Sequence, residues 1–288
     1  MASLLEGTSG DQHVAAHQLR TVRVACISDT HGKHRGMRVP DADLLIHAGD
    51  FTHFGKKRDV EDFNEWLGTL PHRTKIVVNG NHENNSDWSR QAKQVLSNAT
   101  HLLNETITVR VPLGGGEDQD SSGVDVTIHG TQFYWPMKTR NPYYAAIPRG
   151  GTVDVLVSHG PVEGFVDGGS GCAELRRVVL GAVRPRLVVS GHIHGAHGTT
   201  TVDLGPPPMP TELPSIREQE QEQEQEQEQE QEQEQEQPEG VEEERTAGNG
   251  GGGDGSAYPC TFVNAANCKN GYSIGWDAVL VDIQVPVR

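Results

Sequence analysis

Short apolar runs rich in Val and Ile recur along the chain, each followed closely by Gly, Asn, Asp or His. They cover Val22 to Ser28, Leu44 to Ala48, Lys75 to Val78, Thr106 to Val111, Val124 to His129, Val153 to Ser158, Leu187 to Ser190, Cys260 to Asn264 and Ala278 to Val285. Runs this short, bounded by turn residues, predict strands. Two segments follow the helical period instead. Lys56 to Leu70 sets Val60, Phe63, Leu67 and Leu70 on one face, and Cys172 to Val183 does the same with Leu175, Val179 and Val183. Strands alternate with helices early and accumulate in the middle and at the end, which predicts an α/β sandwich of mixed sheets.

Two segments show no such pattern. Residues 1–20 are polar and mixed, and read as a flexible lead-in. Between about 202 and 257 the composition changes to Gly205-Pro206-Pro207-Pro208, ten Glu-Gln dipeptides from Glu218 to Gln237, and a Gly-rich run from Gly248 to Gly255. Nothing there builds a core. The expected organisation is a flexible segment at 1–20, then one domain over 21–288 interrupted by this low-complexity insert. Because the insert begins about eight residues after His194, it is expected near the catalytic edge, and its charge suits a protein partner.

The insert changes how the charge is read. The formal net charge is -16, but residues 218–244 hold 14 acidic side chains and no Lys or Arg, leaving 26 acidic against 24 basic residues elsewhere. A nearly neutral body without a basic cluster argues against duplex nucleic acid as partner. No stretch reaches the roughly 18 apolar residues of a membrane span. Met1 to Thr21 has no continuous apolar core behind a basic start, which argues against a secretory leader. Cys26, Cys172, Cys260 and Cys268 form no CxxC pair and read as buried thiols in a reducing compartment, so a cytoplasmic location is expected.

Candidate chemistry lies immediately after five strands. Ile27-Ser28 leads into Asp29-Thr30-His31-Gly32, Ile46-His47 into Ala48-Gly49-Asp50, and Val77-Val78 into Asn79-Gly80-Asn81-His82-Glu83. Later, Leu156-Val157 leads into Ser158-His159-Gly160-Pro161, and Val188-Val189 into Ser190-Gly191-His192-Ile193-His194-Gly195. Carboxylate, imidazole and amide groups are thus gathered where α/β folds place their sites. Each fragment alone also reads as a solvated turn; the order of all five carries the signal. His192 and His194 would share a face in a strand, whereas in a loop they can diverge toward two ions.

That ordered set resembles the calcineurin-like metallophosphoesterase superfamily, from Thr21 to about Thr199 and again from Cys260 to Ile283. Leu44 to Thr52, Phe63 to Gly68 and Phe262 to Cys268 are similar to its small brain-type metallophosphoesterase-domain branch. The resemblance implies a four-layer sandwich, two mixed sheets face to face with helices outside. It implies one ion on Asp29, His31, Asp50 and His194 and a second on Asp50, Asn81, His159 and His192, with Asp50 bridging. Carboxylate, amide and imidazole donors without thiolate suit Mn, Fe or Zn ions better than Ca²⁺.

Two such ions, two carboxylates and a bridging hydroxide leave a net charge of about +1 to meet a phosphate ester. The expected reaction is in-line attack by the metal-bound hydroxide, with His82 protonating the leaving oxygen or stabilising its charge. Glu83 either orients His82 or is a solvated loop carboxylate. Phosphodiesters, cyclic nucleotides among them, are the expected substrates. A phosphomonoesterase or protein phosphatase would use the same ligands, a nuclease lacks the basic surface, and a metal-binding module without turnover is the alternative from another class.

Further residues are open to two readings. His47 and His53 flank Asp50, and His47 reads as a strand residue with an ordinary partner. Tyr134, Trp135, Tyr143 and Tyr144 with Arg140 and Arg149 read either as a base-stacking wall or as a loop packed on the domain. His197, Asn264 and Asn267 are candidates to support the ligands from behind.

Overall fold

The computed structural model describes residues 18–84, 86–88, 91–112, 123–134, 140–205, 258–269 and 272–287. The chain divides into two compact units, residues 1–204 with 258–288, and residues 205–257. The Glu-Gln segment, residues 1–17 and Trp135 lie outside the described residues. Both large sheets belong to the first unit.

One sheet runs parallel through β1 (Leu19–Ile27), β2 (Leu44–His47), β3 (Thr74–Val77) and β4 (Thr100–His101). The last strand, β13 (Val279–Pro286), pairs antiparallel on the free side of β1. The second sheet has the order β5 (Glu105–Val111), β6 (Val124–Thr131), β7 (Val155–Ser158), β8 (Leu187–Ser190), β10 (Pro259–Asn264) and β9 (Gly198–Asp203), with antiparallel pairs only at its two edges. A two-stranded ribbon joins β11 (Cys268–Lys269) to β12 (Ser273–Ile274).

The near-continuous apolar runs follow from burial on both faces. In β1, Val22, Val24 and Cys26 point between the sheets, where they meet Val126, Ile128, Val155 and Val157. Ala25 and Ile27 point outward to α1 (Lys57–Thr69), whose Val60, Phe63, Trp66 and Leu67 cover them. On the far side, α3 (Ala173–Val178) and the π turn Val179–Val183 cover Leu156, Val188 and Phe262. The order helix, sheet, sheet, helix is the expected four-layer sandwich. A short α2 (Ala92–Val95) precedes β4. Among the described residues no helix is long and apolar enough to cross a membrane.

Three local expectations need correction. Cys172 to Val183 is not one α-helix, although Leu175, Val179 and Val183 are all buried; Cys172 caps it, and the chain widens to a π turn ended by Arg184 at φ 51. β1 starts at Leu19, inside the expected lead-in, because β13 extends far enough to pair Leu19 with Pro286. The third concerns the insert. β9 and β10 pair so that Gly198 faces Asn264 beside Ser190, while Asp203 faces Pro259 at the other end. The chain therefore leaves for residue 205 and returns at 258 from the end of the sheet opposite the ligand loops, not from the catalytic edge.

Candidate metal centre

Five parallel strands drawn from both sheets end at one common edge and hand over to turns that carry the candidate ligands: β1 to Asp29 and His31, β2 to Asp50, β3 to Asn81, β7 to His159, β8 to His192 and His194. These turns are bent sharply. Asp29, His31, Asp50 and His192 have φ of 54°, 43°, 55° and 68°, a left-handed conformation that costs a side-chain-bearing residue about 1 kcal/mol or more. Cross-loop bonds hold them there: Asp29 N donates to Gly49 O at 2.9 Å, His31 N to Asp50 O at 2.9 Å and His192 N to Asp29 Oδ2 at 2.9 Å. Such close approach demands glycine at two positions. A Cβ on Gly80 would collide with Asp50 Oδ1, and one on Gly191 with Ser28 Oγ and Asp29 Oδ2.

All seven sequence-predicted ligands converge in two groups that meet at Asp50. In the first, His194 Nε2 lies 3.1 Å from Asp29 Oδ1 and 3.2 Å from His31 Nε2, and His31 Nε2 is 4.0 Å from Asp50 Oδ2. In the second, His159 Nε2 lies 3.3 Å from Asp50 Oδ2 and 3.1 Å from Asn81 Oδ1, and the His159 and His192 rings are 5.1 Å apart. The ligand atoms of Asp29, His31 and His194 lie within 4.8 Å of one another, as do those of Asp50, His159 and His192. His82 joins His31 and Asp50 in a third such group. It stands at the junction between the two.

The electrostatics fit divalent cations. Burial drives the Asp29 and Asp50 carboxyls upward, yet His159 and, for Asp29, His194 hold both below the ordinary range, so two negative charges sit in a water-poor pocket. Burial pushes His31 and His192 down to about 4, leaving neutral rings with lone pairs to donate. His159 resists burial because Asp50 and Asp29 raise it to about 10. Its Nε2 faces Asp50 and Asn81, so a proton there takes the place a cation would fill. Two imidazole nitrogens at 3.2 Å, one from His31 and one from His194, point at the same space. A shared positive ion satisfies both.

Glu83 fits neither role that its position in the sequence suggests. It is fully buried and does not bond His82. Its Oε2 accepts from Asp50 N and Gly80 N, both at 2.9 Å, and its Oε1 from Thr52 N at 2.9 Å and Thr52 Oγ1 at 2.6 Å. Burial and Asp50 push its carboxyl up to about 7, against those donors. His82 is oriented instead by His53: its Nδ1 donates to the His53 carbonyl, which turns Nε2 toward Asp50 Oδ2 at 3.7 Å.

The supporting residues resolve as follows. His47 is buried, with Nε2 against Thr30 Oγ1 at 3.0 Å and Nδ1 accepting from Gly49 N at 3.2 Å. Asn264 Nδ2 donates to Val166 O and Ile193 O, pinning the turn between His192 and His194, and Asn267 Oδ1 accepts from Ser28 N beside Asp29. His197 Nδ1 donates to Ala266 O. Tyr144 belongs to the core, with Oη toward Cys172 Sγ, whereas Tyr134 and Tyr143 meet edge-on. Sequence reasoning missed Tyr272, whose ring lies 4.5 Å from His31 and 5.2 Å from His53. It sits alone in a polar ribbon of no marked period, so no pattern announced it.

The calcineurin-like phosphoesterase family model matches residues 22–196. Metallophosphoesterase domain-containing protein 1 of Homo sapiens is 35% identical over 241 residues, covering 68% of this chain and 72% of that protein. Its Mus musculus counterpart gives the same identity and coverage. Among solved structures, TT1561 of Thermus thermophilus is similar with a TM-score of 0.44 and 14% identity, over 65% of this chain and 86% of that one.

Proposed function

This chain belongs to the calcineurin-like phosphoesterase family, whose members are metal-dependent phosphoesterases, and from that premise we propose that it hydrolyses phosphodiesters. The observation that carries this reading is the pair of ligand groups meeting at Asp50. In the proposed assignment Asp29, His31, Asp50 and His194 hold one ion, and Asp50, Asn81, His159 and His192 hold the other. Bound there, two divalent ions would supply Lewis-acid charge to the phosphoryl oxygens and lower the pKa of a coordinated water. Mn, Fe or Zn suit these oxygen and imidazole donors.

The remaining work falls to side chains. Asp29 and Asp50 set the charge of the site; His31 and His192, neutral through burial, offer lone pairs without competing protons. His82 is the proposed general acid. With Nδ1–H engaged by the His53 carbonyl, only its Nε2 is free to deliver a proton to a leaving oxygen. Tyr272, 40% exposed over His31, screens that side from bulk water. Diesters are preferred in this reading because Asp29 and Asp50 offset much of the metal charge, which suits a singly charged ester. Cyclic nucleotides fall within that class. Four buried free cysteines suit a reducing, cytoplasmic setting.

Turnover of bis-(p-nitrophenyl) phosphate against p-nitrophenyl phosphate tests the reading. Chelated protein should be inactive and regain diester hydrolysis with Mn²⁺ before Mg²⁺, which imidazole-rich sites hold poorly. Faster monoester hydrolysis would move the assignment to phosphomonoesters, and activity surviving chelation would exclude the two-metal site.

A further inference from the structure

Beside His82 opens a groove of about 700 Å³. Phe54 and Lys56 line it from the turn before α1, Lys57 from the start of α1, and Asp87 and Trp88 from the segment after His82. The turn is firmly built. Gly55 N donates to Thr52 Oγ1 at 2.9 Å, Trp88 Nε1 donates to Gly55 O at 2.7 Å, and Gly55, at φ 64°, packs so close to Ser86 Oγ that no Cβ fits. The same Thr52 hydroxyl donates to Glu83, which ties this turn to Asp50 and Gly80.

The groove combines a bare aromatic face with unspent positive charge. Phe54 is 67% exposed on this well-bonded turn; its ring meets that of His53 at 4.0 Å and lies 25° from parallel to His82 at 6.2 Å. Among the described residues Lys56 has no carboxylate at ion-pair distance, and Lys57 reaches Glu61 only at 3.7 Å. The N-terminal end of the 13-residue α1 adds to the positive potential, against which Asp87 is the acidic member of the lining.

We infer that this groove receives the alcohol released in the reaction, and that it selects an aromatic alcohol bearing an anionic substituent. The inference rests on the phosphodiesterase reading, with His82 on the leaving-oxygen side. Water supplies the entering oxygen and loses a proton to solvent, the bond from phosphorus to the alcohol oxygen breaks with its electrons on that oxygen, and His82 Nε2 gives it a proton and is reprotonated from solvent. A ring entering beside His82 can stack on Phe54, and its anionic substituent reaches Lys56.

Three methyl phosphate esters, differing only in the group that leaves, test this: p-nitrophenyl, 3-carboxy-4-nitrophenyl, and the fluoride, which needs no subsite. Stacking on one aromatic face is worth about 1–3 kcal/mol, so Phe54→Ala should lower the aryl-to-fluoride ratio of kcat/KM by about 5- to 150-fold. Phe54→Leu, which keeps apolar bulk without a flat face, should recover only part of it. Lys56→Ala should lower the preference for the carboxylated ring by about 2- to 5-fold, the range of an exposed ion pair, and high salt should do the same to the unaltered protein. Ratios unchanged in both variants overturn the subsite while leaving the phosphodiesterase intact. Failure of the unaltered, Mn²⁺-loaded protein to cleave any of the three overturns the phosphodiesterase reading and the subsite with it.

Discussion

Glu83 Oε2 accepts a hydrogen bond from the backbone nitrogen of Asp50 at 2.9 Å, so a carboxylate that faces no substrate fixes the residue at which both ligand groups meet. The same carboxylate holds Thr52 and Gly80, and thereby ties the loop after β2 to the loop after β3.

Glu83→Gln presents an amide N–H to donors that need an acceptor. One buried donor left unsatisfied costs about 1–3 kcal/mol. Urea unfolding of the chelated protein should register that loss, and metal titration should show affinity lower by about 10- to 100-fold, as when a group that orients ligands is removed. Unchanged metal affinity with reduced stability would confine Glu83 to a structural role.

Asp50 and His82 should separate cleanly. Asp50→Asn weakens both ligand groups, so metal content and activity should fall together. His82→Ala should retain metal while turnover drops by about 10²- to 10⁴-fold, the range for a general acid. The loss should shrink with p-nitrophenolate, which leaves without protonation. Because His82 also lies within 4.8 Å of His31 and Asp50, elemental analysis of His82→Ala is the decisive measurement. Loss of metal would make it a ligand.

The turns that carry the candidate ligands were legible because each follows an apolar run whose end the sequence marks sharply. Ile27, Ile46, Val77, Val157 and Val189 are all fully or almost fully buried, and the next polar residues have nowhere to go but the shared edge. Roles that depend on distant backbone were not legible: Glu83 meets Asp50 and Thr52 across 33 and 31 residues, and no local period reports that. β9 was hidden for a related reason. Gly198–Asp203 is half threonine with alternating exposure, and only its ladder to β10 makes it a strand.

Acid should destabilise the metal-free protein through two buried imidazoles. Burial lowers His101 and His129 to about 4 in the folded chain, while the unfolded chain keeps the ordinary value near 6.5. The unfolded state therefore takes up protons first on acidification. The stability these neutral rings allow is complete above about pH 6.5 and is lost as pH falls toward 4. Urea midpoints of chelated protein should decline across that window, and the double replacement His101→Gln with His129→Gln should flatten the decline. An equal pH dependence in the unaltered and doubly replaced proteins would contradict the burial of these two rings.

The segment between β9 and β10 should be removable. Leu204 N donates to Tyr258 O at 3.0 Å and Asp203 pairs with Pro259, so the hairpin is already closed one step before the segment begins. A short Gly-Ser turn can join these ends. Loop-closure entropy changes by only about 0.6 kcal/mol per doubling of length, so replacing residues 205–257 should leave stability unchanged or raise it by about 2 kcal/mol. The 14 clustered carboxylates of residues 218–244 bear on catalysis only if they lie within reach of the ligand loops. The Debye length is about 8 Å at physiological ionic strength, so kcat/KM should change by less than about twofold there. Circular dichroism, metal content and kinetics of the deletion decide the matter together. Loss of folding would make the segment structural, and a large gain in kcat/KM that high salt abolishes would mean its charge acts on the site after all.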